Sequence, residues 1–410
     1  MSGRNVPDYL LRDKRTGLFV KGEGNAGDSS RSSVNGGEAE ALVGPSANVG
    51  EAEALVQPSV HGGDAGAAWQ GSGEDGRFVI VFLPYKASMW DSFEPVWRRA
   101  AADPGIETHV IPIPYFDKNP DGSLGEMRYE GDQFPEEVEI TRFDEYDIEA
   151  HHPDRIYIHN PYDAGNHVTT IHPYFYSKEL KNWTDDLVYI PYFVLSEIDP
   201  GNRAAVDGIE GFVMTSGVIN AHHVIVQSEA MKAAYVDILT RNSREDLRPY
   251  WEAKILGLGS PKLEKADELK DETFELPGEW ERVIKKPDGT RKKVILYNTG
   301  VTALLQNSGD MLDKIERVLQ VFKESAEEVA LLWRPHPLYE ATLSSMRPEL
   351  CDRYREIVSR YRQEAWGIFD DTADLARAMA VSDAYYGDPS SVVQLYKELG
   401  KPIMIQNVYV

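Results

Sequence analysis

The run from Asp383 to Ile405 constrains the fold more than any other stretch. It reads Asp383-Ala-Tyr-Tyr-Gly-Asp-Pro-Ser-Ser-Val-Val-Gln-Leu-Tyr-Lys-Glu-Leu-Gly-Lys-Pro402, followed by Ile-Met-Ile. Ala384 to Tyr386 has the character of a short strand. Gly387-Asp388-Pro389 is turn chemistry, because Gly permits unusual dihedrals and Pro fixes one. Val392, Val393, Leu395, Tyr396 and Leu399 then recur at helical spacing. Gly400 and Pro402 stop that helix, and Ile403 to Ile405 follows as a strand. Strand, turn, helix, strand is the unit of a parallel α/β sheet.

Ser390 and Ser391 stand where this helix opens. The first N–H groups of a helix are unpaired and its dipole favours negative charge, so the position suits an anion. The plainer reading is a serine cap. Two upstream stretches bear on the choice. Val329-Ala-Leu-Leu-Trp-Arg-Pro-His-Pro337 is an apolar strand ending in Arg334 and His336. Ligands of open α/β sheets bind outside the carboxyl ends of the strands. There Arg334 offers a forked cation for phosphate, and His336 a proton carrier or donor. Val294-Ile-Leu-Tyr-Asn-Thr-Gly300 is a second such strand, ending at Thr299 and Gly300.

These three strand ends, Tyr-Asn-Thr-Gly, Arg-Pro-His-Pro and Asp-Pro-Ser-Ser, resemble the C-terminal domain of the CDP-glycerol glycerophosphotransferase family, the teichoic-acid polymerases. The resemblance covers about 150 C-terminal residues. It implies the GT-B plan: two Rossmann-like, doubly wound α/β domains facing a cleft. Two departures stand out. The family's last motif usually carries Tyr where this chain has Pro389. Its Trp-His-Gly-Thr-Pro motif, whose histidine is thought to act as base, is replaced by Tyr189-Ile-Pro-Tyr-Phe193. The chain also stops at Val410, directly after its last strand, where GT-B domains usually continue with a helix back to the first domain. Either this variant ends early or the sequence is incomplete.

Composition narrows the function classes. A net charge of −24 argues against nucleic acid and against an acidic membrane surface as partners. The one cysteine, Cys351, rules out an internal disulfide and points to a reducing compartment. It falls in a helical pattern, as a small buried hydrophobe does. No signal peptide and no apolar run long enough for a membrane span is visible. The expected location is the cytoplasm, at most at the inner face of the cell membrane.

Four segments follow. Residues 1–20 form a polar arm with a few apolar positions. Residues 21–76 are low complexity, with Gly37-Glu-Ala-Glu-Ala-Leu-Val repeated from Gly50, and read as a disordered linker. Residues 77–260 read as a first Rossmann-like domain that presents the acceptor. Its strands are expected at 78–83, 108–113, 155–159, 186–195 and 223–228, and Lys118–Pro153 as an acidic insertion carrying one amphipathic helix. Residues 261–410 read as the nucleotide-donor domain. Its strands are expected at 294–298, 329–334, 366–369, 383–387 and 402–406, and its helices at 309–326, 349–364, 372–380 and 390–399.

In the first domain the dense polar loop after the third strand suggests His159, Asn160, Tyr162 and Asp163 as acceptor contacts. Asn160 and Asp163 equally suit turn shaping, and His159 a hydrogen bond within the sheet. Tyr192, Gly259 and Ser260 complete the expected cleft wall, with Gly259 and Ser260 alternatively a hinge. His159, His167 and His172 show no zinc spacing; no metal and no cofactor are expected.

The leading expectation is a transferase. The resemblance implies CDP-glycerol or a similar nucleotide-activated donor, its diphosphate held by Arg334, Asp388, Ser390, Ser391, Thr299 and Gly300. The acceptor would be a polyol phosphate or glycan, with His336 or His159 as proton carrier. A glycosyltransferase or nucleotide-sugar epimerase on the same plan, and an inactive nucleotide or polyol-phosphate binding protein, are the alternatives.

Overall fold

A computed structural model describes residues 71–73, 76–270 and 274–406, together with a two-residue antiparallel ladder between Leu11–Arg12 and Phe19–Val20. The expected linker and its repeat lie almost wholly outside the described residues.

The continuous apolar run Phe78–Leu83 (β1) is buried along its whole length, as a strand covered on both faces requires. Ile106–Val110 (β2) pairs parallel beside it. This strand starts earlier than expected and stops before Pro112 and Pro114, whose rings cannot donate to a ladder. Tyr115–Lys118 (β3) and Leu124–Arg128 (β4) form a hairpin closed at Gly122, where φ is +79°. Arg155–Ile158 (β5) returns to the main sheet on the other side of β1. Thr169–Ile171 (β6) pairs with β3. Asp186–Tyr189 (β7), His223–Ile225 (β8) and Ile255–Leu256 (β9) complete the first sheet. Its order is β9-β8-β7-β5-β1-β2, all parallel.

The three-stranded antiparallel sheet β4-β3-β6 replaces the amphipathic helix expected in the acidic insertion. The only α-helical turn there is Ile148–His151. β4 is largely exposed, so its sequence lacks the apolar alternation that announces a half-buried strand.

The second sheet is built from Lys293–Thr299 (β10), Val329–Pro335 (β11), Ile368–Phe369 (β12), Ala384–Gly387 (β13) and Ile403–Ile405 (β14). Its order is β12-β11-β10-β13-β14, again all parallel. Helices Gly309–Glu324, Cys351–Glu364, Leu375–Val381 and Ser391–Glu398 stand close to their expected places. Val301–Asn307 and Tyr339–Met346 are additional. The chain is therefore α/β with two doubly wound parallel sheets, the GT-B-like class. Apolar clusters cover both faces of each sheet.

Buried side chains cross between them at two places: Val168 packs against Val301 and Leu338 of the second domain. Val194, in the loop after β7, is 1% exposed and packs in the second sheet's core beside Ala266, Trp280 and Leu395. Nearby, Gln394 Nε2 donates to Ser196 Oγ at 2.9 Å.

Candidate functional site

In each sheet the strand order reverses at one point, and such a switch point opens a crevice at the carboxyl ends. In the first sheet it lies between β1 and β5, in the second between β10 and β13. The loops leaving β1 and β11 meet across a cleft of about 470 Å³. Lys86 and Ser88 line it from the first sheet's side, joined by Glu130; Arg334, His336, Arg355 and Arg362 line it from the second.

His336 sits where the chain leaves β11. Its backbone N–H donates to the Thr299 carbonyl at 3.0 Å, which fixes the turn. Its Nδ1 accepts from the Leu338 backbone N–H at 3.1 Å. A neutral ring that accepts at Nδ1 carries its proton on Nε2. His336 is thus set up as a donor through Nε2 rather than as a base.

Arg334 lies beside it but points its fork inward. The guanidinium pairs with Asp370 and donates to the Thr372 carbonyl at 2.8 Å and the Asp374 carbonyl at 3.4 Å. It is 5% exposed. The expectation of a free phosphate fork is corrected: Arg334 clamps the Asp370–Asp374 loop.

Three more expected donor contacts prove to be structural. Asp388 is 1% exposed; one oxygen takes the Lys314 ammonium at 2.8 Å and the other the Gly300 N–H at 2.8 Å. Burial outweighs Lys314 and keeps this carboxyl above its ordinary range. Gly300 has thereby committed its N–H. The Thr299 hydroxyl is fully buried and accepts from Trp333 Nε1 at 3.2 Å. These bonds hold the ends of β10, β11 and β13 together. Gly387 makes the approach of β13 to β10 possible: its φ is +146°, and a Cβ there would lie 2.1 Å from the Asn298 carbonyl oxygen.

Ser390 donates from Oγ to Asn298 Oδ1 at 3.0 Å and precedes the helix Ser391–Glu398. The ends of this helix and of Val301–Asn307 face the first domain, but Phe193 and Phe212 cover them. The gap among Phe193, Phe212, Gly300, Pro389, Ser390 and Ser391 is about 10 Å³, room for one water. A diphosphate has no space on Ser390 and Ser391 in this arrangement.

The acceptor candidates turn inward as well. His159 is fully buried, accepts the Tyr85 N–H at Nε2 (2.6 Å) and bonds Ser92 Oγ through Nδ1 (2.8 Å). Phe93 stacks on it at 4.6 Å. Burial, helped by Lys262, pushes its pKa down to about 3. A ring so enclosed cannot carry a substrate proton, so the expectation of His159 as base is corrected. Its role is to tie the β1 loop to the end of β5. Asn160 accepts the Tyr162 N–H at 2.9 Å, and Tyr162 packs in the core. Asp163, at φ +46°, accepts from the Ser177 N–H and hydroxyl, and burial raises its carboxyl to about 6. These three shape the loop. Tyr192 lies edge-on to His159, 5.9 Å between centroids. Gly259 and Ser260 border a separate gap of about 10 Å³ with Pro191 and Phe193. Of the expected site residues, His336 and Arg334 line the large cleft.

Sequence reasoning passed over Lys86, Glu130 and Lys314. Lys86 Nζ donates to Glu130 Oε1 at 2.8 Å and to the Tyr115 hydroxyl. Glu130 Oε2 accepts the Ala87 N–H at 2.9 Å. Burial would raise Glu130, but Lys86 and Tyr115 together hold it below its ordinary range. The signal available was Lys86 itself, a lone cation three residues beyond an apolar strand's carboxyl end. Among the described residues no cluster of His, Cys, Asp and Glu is arranged to hold a metal ion, and no helix is long and apolar enough to cross a membrane.

No protein-family model matches the chain, and no curated protein matches it. Among solved structures it is similar to a putative UDP-N-acetylglucosamine 2-epimerase from Listeria monocytogenes, at 12% identity over 80% of this chain and 79% of that one, with a TM-score of 0.46. It is similar to UDP-GlcNAc 2-epimerase from Neisseria meningitidis bound to UDP-GlcNAc, at 10% identity, 80% and 82% coverage and a TM-score of 0.45. It is also similar to the wall teichoic acid polymerase TagF soaked with CDPG, at 16% identity, 80% and 69% coverage and a TM-score of 0.38.

Proposed function

We propose that this chain is a transferase of the GT-B plan, moving a group from a nucleotide-activated donor to a hydroxyl acceptor. The observation that carries the reading is the cleft itself. Loops leaving both parallel sheets line one roomy opening, and His336 faces it from the end of β11. In such sheets that place is where ligands bind. The three strand-end motifs favour glycerol phosphate from CDP-glycerol as the transferred group, in synthesis of a teichoic-acid-type polymer, with a polyol phosphate or glycan as acceptor.

The chemistry asked of the protein is positioning and charge stabilisation. His336 donates from Nε2 to a phosphate oxygen and so stabilises the leaving nucleotide. The acceptor hydroxyl enters from the Lys86 side; its oxygen bonds the transferred phosphorus as the bond to the CMP oxygen breaks, and its proton passes to water. The test is acceptor-dependent release of CMP from CDP-glycerol by the purified protein, lost in His336→Ala. Release of UDP from a UDP-sugar would move the reading to a glycosyltransferase or epimerase. One observation favours a non-catalytic binding protein: Phe193 and Phe212 close over Ser390 and Ser391. Nucleotide binding without turnover, with any acceptor, is the result that would establish it.

A further inference from the structure

We infer that Lys86, positioned by Glu130 and Tyr115, is the first domain's contact for a phosphate group in the cleft; this rests on the transferase reading. An ammonium has three protons. One goes to Glu130 Oε1 and one to the Tyr115 hydroxyl, and the described residues offer the third no acceptor. The ammonium also lies 4.1 Å from the centre of the Tyr115 ring, which favours a cation.

Glu130 receives Lys86 and Tyr115 on one oxygen and the Ala87 N–H on the other. It is a positioning residue, locked in place beside Lys86. The other cations of the cleft differ in kind. The side chains of Arg355 and Arg362 are 55% and 49% exposed and pair with Glu340 and Asp371, so water screens them. Arg334 is taken up by its loop. The Lys86 side chain is 9% exposed yet borders the cleft. A desolvated cation with a spare donor attracts an anion more strongly than a solvated one.

The test is calorimetric titration of CDP, with cytidine as the phosphate-free control. Lys86→Met/Glu130→Gln removes both charges together, so no buried carboxylate is left unpaired. CDP affinity should fall at least tenfold and cytidine affinity stay within about threefold, with the circular dichroism of the parent kept. A second measurement needs no variant: saturating CDP, but not cytidine, should slow acetylation of Lys86, read by peptide mass spectrometry. A folded double variant that binds CDP like the parent, or Lys86 labelling unchanged by CDP, overturns the inference alone. A parent protein that binds neither CDP nor UDP overturns the transferase reading with it.

Discussion

Lys314→Met should be the most damaging single change in the second domain outside the aromatic core. The Lys314 and Asp388 side chains are 1% and 2% exposed, and their atoms meet at 2.8 Å. Removing the lysine leaves a buried carboxylate with only the Gly300 N–H as partner. Breaking a buried pair from one side costs about 3–5 kcal/mol, which for a domain of this size lowers the melting temperature by roughly 10 °C. The pH dependence carries a definite sign. Asp388 already sits above its ordinary range because burial outweighs Lys314. Without the lysine it rises further. A group whose folded pKa is raised makes the folded state bind more protons, so stability increases as pH falls. The deficit of Lys314→Met should therefore shrink between about pH 7 and pH 5. Lys314→Met/Asp388→Asn should recover most of the loss, because the amide oxygen can still accept from Gly300. Thermal melts of the two singles and the double, followed by circular dichroism at both pH values, give the coupling energy. A loss below about 0.5 kcal/mol for Lys314→Met, or a deficit that grows on acidification, would refute the account.

His336→Ala should lower the rate of nucleotide release by at least about a hundredfold while costing only about 1 kcal/mol of stability, for the lost bond from the Leu338 N–H. His159→Ala should do the reverse and destabilise by about 2–3 kcal/mol, because it strands the Tyr85 N–H. In the parent, His159 has its pKa depressed to about 3, so the stability it contributes is full above its unfolded value. It drains away as pH falls from about 6.5 toward 3; a melt series flat across that window would contradict this. Phe193→Ala together with Phe212→Ala should enlarge the gap over Ser390 and Ser391. Pyrophosphate, measured by calorimetry, should then bind more tightly than to the parent, and an unchanged affinity would remove these rings as the barrier.

How much of this was legible follows from where each residue's partners lie. The strands Phe78–Leu83 and Val329–Pro335 declare themselves because burial on both faces demands an unbroken apolar run. Ser228 caps the helix Glu229–Arg241 through the Met231 N–H, a partner only three residues away and so within reach of a sequence pattern. The site was harder. Lys314 sits in the run Leu-Asp-Lys-Ile-Glu and reads as surface charge, yet its partner is 74 residues distant. Glu130 is 44 residues from Lys86, inside an insertion that looks like acidic loop. Arg334 was correctly placed at a strand end, but its engagement by Asp370 depends on the return of β12 beside β11. Turn residues such as Asp163 mimic site residues, because both need short polar side chains at strand ends.

Val194 sets a cost on parting the two domains. Its side chain is buried in the opposite domain, and Ser196 is bonded across the same seam. Parting the domains there would expose an apolar side chain and break a hydrogen bond. At the margin that carries Lys86 and His336, the walls stand apart around a space of about 470 Å³. The two halves are held at two seams, one at Val194 and one where Val168 meets Val301 and Leu338 beside the cleft. Uncovering Ser390 and Ser391 would therefore mean parting the Val194 seam, whereas the large cleft stands open with both seams closed.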